Sequence, residues 1–165
     1  MSFENIQLPP FLIQDLYRDH LIDDNNIKSG FDILKNEQIQ YLGKNEKKIL
    51  VIVKEENVPF LQDNDLNFLI GILHACKLSM ADIALVNIKN GLHKNKAFMA
   101  QFNPEKYFLF GVAPSEMELP LLFPHFQVQQ YSNIIYLSGP SLNQIAADKV
   151  LKQLLWDSLK KVFVI

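Results

Sequence analysis

The chain has 165 residues, 48% of them apolar and 21% charged, a balance that supports one domain with a sizeable core and excludes a chain disordered throughout. Sixteen basic residues against eighteen acidic ones leave a net charge of −2, and Arg18 is the only arginine. Proteins that grip nucleic acid directly carry a concentrated basic surface, because phosphate neutralisation supplies most of their non-specific affinity, and nothing in these totals points to one.

Met1 to Asn26 opens on Leu8-Pro9-Pro10 and continues with Leu12, Leu16 and Tyr17, joined by Ile13 and Leu21, at helical intervals. This predicts a short amphipathic helix from about Phe11 to His20. Such a stripe either folds back on its own domain or docks into a groove of another protein. Asp23-Asp-Asn-Asn26 breaks the pattern, so residues 1–26 read as an N-terminal segment and 27–165 as a single α/β domain.

Gln38 to Leu42 alternates polar and apolar residues like an edge strand, and Ile49-Leu-Val-Ile-Val53 is an unbroken β-branched run that predicts a central strand. Only the polar turn Gly43 to Lys48 separates them, so the two are expected to pair as a hairpin or lie as near neighbours. Asp63-Asn-Asp65 offers caps for a largely buried helix from about Asp65 to Lys77. Asp82 to Ile88 is the next strand, closed by Asn90-Gly91, and Lys94 to Gln101 predicts a short helix anchored by Phe98. Tyr107-Phe-Leu-Phe110 is apolar on both faces and stops at Pro114, which predicts another buried strand. Phe126 to Tyr131 and Ile134 to Leu137 flank Ser132-Asn133, giving either a tight hairpin or one long bent strand.

A last helix is predicted from Ser141 to Phe163, with Ala147, Leu151, Leu154, Leu155 and Val162 toward the sheet. Lys149, Lys152, Gln153, Trp156 and Lys160 fall on the opposite side. Trp156 either lies flat on neighbouring elements or anchors a partner, tryptophan being enriched among residues that dominate interfaces. The order of elements predicts a three-layer α/β sandwich, its central sheet mixed and mostly parallel and flanked by helices.

Ligands in such sheets bind beyond the carboxyl ends of the strands, which makes Ala113-Pro114-Ser115-Glu116 the first place to look for chemistry, with Ala113, Pro114, Ser115 and His125 as the candidate pocket. Ser115 and His125 are the nearest approach to a nucleophile and base, yet their pairing rests on sequence proximity alone. Glu55, Glu56 and Asn57 follow Val53 as either water-activating groups or a solvated turn. No glycine-rich phosphate loop, nucleophile elbow or dinucleotide fingerprint occurs. His20, His74, His93 and His125 lack the spacing of a zinc site, and His74 and Cys76 fall on different sides of a helix, so neither a metal nor another cofactor is expected. A single cysteine cannot form an internal disulfide, and nothing near Met1 reads as a signal peptide or a membrane span; the expected compartment is the cytoplasm.

Lys48 to Val53, the Pro59-Phe-Leu-Gln-Asp63 approach to a buried helix, the Asp82 to Ile88 strand and the late helix carrying Leu155-Trp156 together resemble the psi subunit of bacterial DNA polymerase III. The likeness covers about Lys48 to Val162. It implies a non-catalytic protein-binding subunit that links the clamp loader to a chi-like subunit, and only through it to nucleic acid. It also implies that Leu8, Phe11, Leu12, Leu16 and Tyr17 contact the clamp loader, and a second face is expected at Lys152, Trp156 and Lys160. The psi fold is similar to that of uracil-DNA glycosylases, whose first-strand loop supplies an Asp or Asn to activate water. Lys54 to Pro59 occupies that position without the glycine-rich pattern, and Gly111-Val-Ala-Pro114 resembles a glycosylase phosphate loop. The alternatives are accordingly a glycosylase-like or hydrolase-like enzyme with its site at residues 111–116, or a structural homodimer joined through the apolar Leu119 to Phe126 loop.

Overall fold

The computed structural model describes residues 38–89, 95–120, 122 and 124–165. The segment 1–26, with Leu8, Phe11, Leu12, Leu16 and Tyr17, lies outside the described residues, as does the Asn90-Gly91 turn. From Ile39 onward the chain forms a compact unit.

Six strands make one sheet: β1 (Leu42–Gly43), β2 (Ile49–Val53), β3 (Ile83–Asn87), β4 (Lys106–Phe110), β5 (Gln129–Tyr131) and β6 (Ile134–Gly139), in the order β1-β3-β2-β4-β6-β5. The four inner strands are parallel, and the two edges are antiparallel to their neighbours. Every residue of β2 is buried, because the pleat sends Ile49, Val51 and Val53 to one face and Leu50 and Ile52 to the other. In β4 Phe108 and Phe110 follow the first set, Tyr107 and Leu109 the second.

Helices α1 (Asp63–Ala75), α3 (Leu142–Ala147) and α4 (Lys149–Phe163) cover the first face with Leu69, Leu73, Leu142, Ile145, Leu155, Leu159 and Val162. Helix α2 (Asn95–Phe102) covers the other with Phe98 and Phe102, helped by Met117 and Leu119. The result is the expected three-layer α/β sandwich, with the expected anchor Phe98 completely buried.

Several local readings are corrected. The segment before β2 does not form a hairpin with it: β1 is two residues long and pairs with β3. The turn behind it explains why, since Asn45 and Glu46 donate backbone hydrogen bonds to the carbonyls of Ile83 and Ala81, carrying the chain across the start of β3 into the middle of the sheet. Helix α1 is not capped by an aspartate. Gln62 takes the N-cap position without a side-chain bond, and Asp63 and Asp65 stand in the first turn, where a carboxylate favours the helix dipole. Its C-terminus closes with Lys77 in the left-handed region, and the Leu78 and Lys77 N–H groups donate to the carbonyls of Leu73 and His74.

The final helix is two helices. Asp148 is extended, and its Oδ1 accepts from the backbone N–H of Val150 at 2.7 Å and of Leu151 at 3.2 Å, so it starts α4 afresh. That restart turns the buried face to Leu155, Ser158, Leu159 and Val162, leaving Leu154 43% exposed and Ala147 exposed rather than against the sheet. The alternating stretch Phe126 to Tyr131 is a strand only in its second half: Phe126 sits in a turn at positive φ, and β5 begins only at Gln129. Ser132 and Asn133, both at positive φ, make the tight β5-β6 hairpin.

Candidate functional site

From β2 the chain passes through α1 to β3 on one side, whereas from β4 it proceeds to β6 on the other. The carboxyl ends of β2 and β4 therefore flank the switch point of the sheet, where an open α/β fold has its natural crevice. Lys54 directly follows β2, and Glu116 belongs to the 3-10 turn Pro114–Met117 after β4. Their side chains meet across that crevice, Lys54 Nζ lying 2.7 Å from Glu116 Oε2. The other carboxylate oxygen of Glu116 accepts the Ala113 N–H at 3.2 Å, which ties the bridge to its own loop. Behind it, the Asn87 side chain at the end of β3 accepts from the Glu55 N–H at 2.9 Å and donates to the carbonyls of Glu55 and Val58 at 2.9 and 3.0 Å. Asn87 escaped the sequence reading, although a polar residue ending an apolar strand at this edge is the signal that would have singled it out.

The hydrogen bond from Lys54 holds the Glu116 carboxyl below its ordinary range, with the Ala113 N–H adding to the effect, and the same bond raises Lys54. A lowered carboxylate contributes stability that is complete above its unfolded pKa of 4.5 and is lost as the pH falls through the folded value. The raised lysine contributes below 10.5, losing its share as the pH rises through its folded value. Glu116→Gln is therefore expected to flatten the decline of thermal stability below about pH 4.5 while changing the neutral plateau little, because the pair is partly exposed and screened by solvent. An acid limb identical in variant and wild type would show the pair makes no contribution. Burial raises Asp65, which is 6% exposed, and burial followed by the charge of Asp65 raises Glu55. These two carboxylates act in the opposite sense, their penalty disappearing as the pH falls toward the unfolded values.

The remaining pocket candidates are not gathered around one point. Ala113 and Ser115 are exposed and Pro114 is half-buried on the same loop, while His125 turns to β6, its Nδ1 standing 3.3 Å from Ser138 Oγ. Ser138 is completely buried in β6. Within the Leu119 to Phe126 loop, Leu119 is buried, Leu122 is 93% exposed, and residues 121 and 123 lie outside the described residues. Among the described residues no cluster of His, Cys, Asp or Glu has the arrangement to hold a metal ion, and no helix is long and apolar enough to cross a membrane.

A groove of about 460 Å³ lies between α1 and α4. Phe68, Gly71, Ile72 and Ala75 form its α1 wall, with Asn67 beside them, and Leu155, Trp156 and Leu159 form the other, with Lys152 at its edge. Trp156 is half-buried and packs against the core beneath, so the basic outer face assigned to it is corrected to a groove wall. Lys152 Nζ stands 5.9 Å from the centroid of the Phe68 ring, within the range of a cation-π contact. Lys160 lies apart from the groove, paired with Asp157 at 2.8 Å one turn along the helix. Of the three residues read as a partner face, the structure joins Lys152 and Trp156 and separates Lys160.

The fold and its two features define an α/β sandwich with an ion-paired switch point and an open apolar groove on one helical layer. No protein-family model matches the chain, and no curated protein matches its sequence.

Proposed function

We propose that the chain is a non-catalytic protein-binding subunit of the kind represented by the psi subunit of bacterial DNA polymerase III. Its partners on this reading are clamp-loader and chi-like subunits, and nucleic acid is reached only through them. The observation that carries the reading is the contrast between the two concave regions. The crevice in which an α/β enzyme handles its ligand is bridged by Lys54 and Glu116, whereas the α1–α4 groove presents an apolar wall with a half-buried tryptophan. Ordinary apolar contacts and a tryptophan anchor are what recognition of another protein requires, and no proton transfer or nucleophile enters it.

The test is quantitative mass spectrometry of proteins cross-linked to the full chain at its native abundance, with Trp156→Ala as the comparison and circular dichroism to verify that the variant is folded. Clamp-loader subunits are expected among the partners of the wild type, with chi-like recovery falling at least about tenfold in the variant, the loss typical of an interface anchor. Leu12→Ala combined with Leu16→Ala tests the contact implied for the N-terminal segment in the same way. Undiminished recovery in all variants, together with uracil release from single-stranded DNA that Glu55→Gln abolishes, would replace this reading by the glycosylase-like one.

A further inference from the structure

Gly71 occupies the interior of α1, where glycine costs about 0.5–1 kcal/mol relative to alanine. Nothing in the described fold requires it: a Cβ built at this position meets no atom within 4 Å. The space it leaves belongs to the α1–α4 groove, between Phe68 on the preceding turn and Ala75 on the next. A helix that gives up propensity at this point gains a lower groove floor, and with it closer approach for whatever lies between α1 and α4.

The charge lining the groove is of one sign. Among the described residues Lys152 is the only charged side chain lining it, and no carboxylate there pairs with Lys152. It is held instead over the Phe68 ring, exposed at the rim, with Lys149 one turn before it also exposed. Lys160, by contrast, is neutralised by Asp157. An apolar floor with an unneutralised ammonium at its rim complements an apolar side-chain row flanked by a carboxylate.

We propose that this groove docks an amphipathic helical segment of a partner protein, its apolar side chains seated over Gly71 against Trp156 and Ile72, and an Asp or Glu of the segment engaging Lys152. This rests on the protein-binding reading above and adds to it the chemistry of the partner. The rows Phe68, Ile72, Ala75 and Lys152, Trp156, Leu159 recur at three- and four-residue intervals, so both walls run along the groove as a helix of matching period would meet them.

The probe is a display library of peptides about 15 residues long, some four helical turns, selected against the full chain and re-measured against Gly71→Leu and Lys152→Glu. Selected peptides are expected to carry an apolar helical stripe with an acidic flank. Gly71→Leu, which fills the floor with a better helix former, should weaken them about 100-fold while raising the melting temperature. Lys152→Glu should weaken them about tenfold, and selection against that variant should return peptides with Lys or Arg at the same flank. Peptides sensitive to Gly71→Leu but indifferent to the sign at residue 152 would overturn the acidic segment and leave groove docking standing. Binding insensitive to Gly71→Leu would remove the groove itself, and with it the support for the protein-binding reading. Sedimentation of the wild type as a dimer that Gly71→Leu converts to monomer would assign the groove to a second copy and overturn the proposal.

Discussion

Replacing Phe98 with alanine is expected to lower the free energy of unfolding by about 3–5 kcal/mol, the range for truncating a fully buried aromatic side chain. Phe98 is completely buried, and it belongs to an eight-residue helix, a length that does not persist in water without tertiary packing. The ring of Phe102 stacks beside it at 6.2 Å between centroids, and Tyr41 meets Phe102 edge-on at 5.1 Å. Gln101, on the same helix, clamps Ile39 through two backbone bonds of 2.8 Å, its Oε1 accepting the N–H and its Nε2 donating to the carbonyl. Loss of Phe98 therefore loosens the whole layer over the second face of the sheet and, through Gln101, the stretch leading into β1. A thermal melt should register a fall of roughly 10 °C, at about 2–4 °C per kcal/mol for a chain of this size. Phe98→Leu, which keeps most of the volume, should cost no more than about 1.5 kcal/mol. Equal melting temperatures for the alanine and leucine variants would mean that α2 contributes little to holding that face.

The inner strands were legible in the sequence because a parallel strand covered on both faces must be apolar at every position, as Ile49 to Val53 and Tyr107 to Phe110 are. The β5-β6 hairpin was legible only as one of two readings, the other being a single bent strand; the positive φ of both Ser132 and Asn133 decides for the two-residue turn. What failed was set by distant partners. β1 reads as the companion of β2 until the backbone bonds from Asn45 and Glu46 are seen to commit it to β3. Asp148 did carry its own signal, an N-cap side chain before an amphipathic run; passing over it rotated the helical wheel and placed Leu154 inside and Trp156 outside. The candidate site divides in the same way. Lys152 and Trp156 were readable as a tryptophan among lysines, whereas Phe68, Gly71 and Ile72 join them only because α1 and α4 lie on one face of the sheet. Lys54 and Glu116 are 62 residues apart in sequence, and no local pattern announces their meeting; strand order alone brings β2 and β4 together at Val53 and Phe110.

The second large effect is expected at Gly43, where alanine should cost about 2–4 kcal/mol and lower the melting temperature by roughly 5–15 °C. Two costs coincide there. Gly43 has φ of +110°, which L side chains rarely adopt, and an added Cβ would stand 2.2 Å from the Ile83 carbonyl oxygen and 2.6 Å from that of Met80. Both obstacles are backbone atoms, and neither is free to retreat. Ile83 O accepts the Asn45 N–H at 2.9 Å, and the Met80–Asp82 turn is fastened by Asp82, whose Oδ2 accepts the Ser79 N–H at 2.7 Å and whose Oδ1 lies 3.5 Å from Lys47 Nζ. Relief of the clash thus requires β1 to leave β3, which breaks the short pairing at Leu42–Leu85 and Gly43–Ala84 and unfastens the Lys44–Lys48 turn that leads the chain into the central strand. Gly71→Ala is the internal control, because it adds the same methyl group where there is open space and should shift stability about 0.5–1 kcal/mol in the opposite direction. The two substitutions add the same atom, but only the one at Gly43 meets backbone and asks an L residue to hold a positive φ. A Gly43→Ala protein that melts with the wild type would show that β1 can separate from β3 without consequence for the sheet, and the edge strand would then count as an appendage of the fold rather than the clasp that steers the chain into its centre.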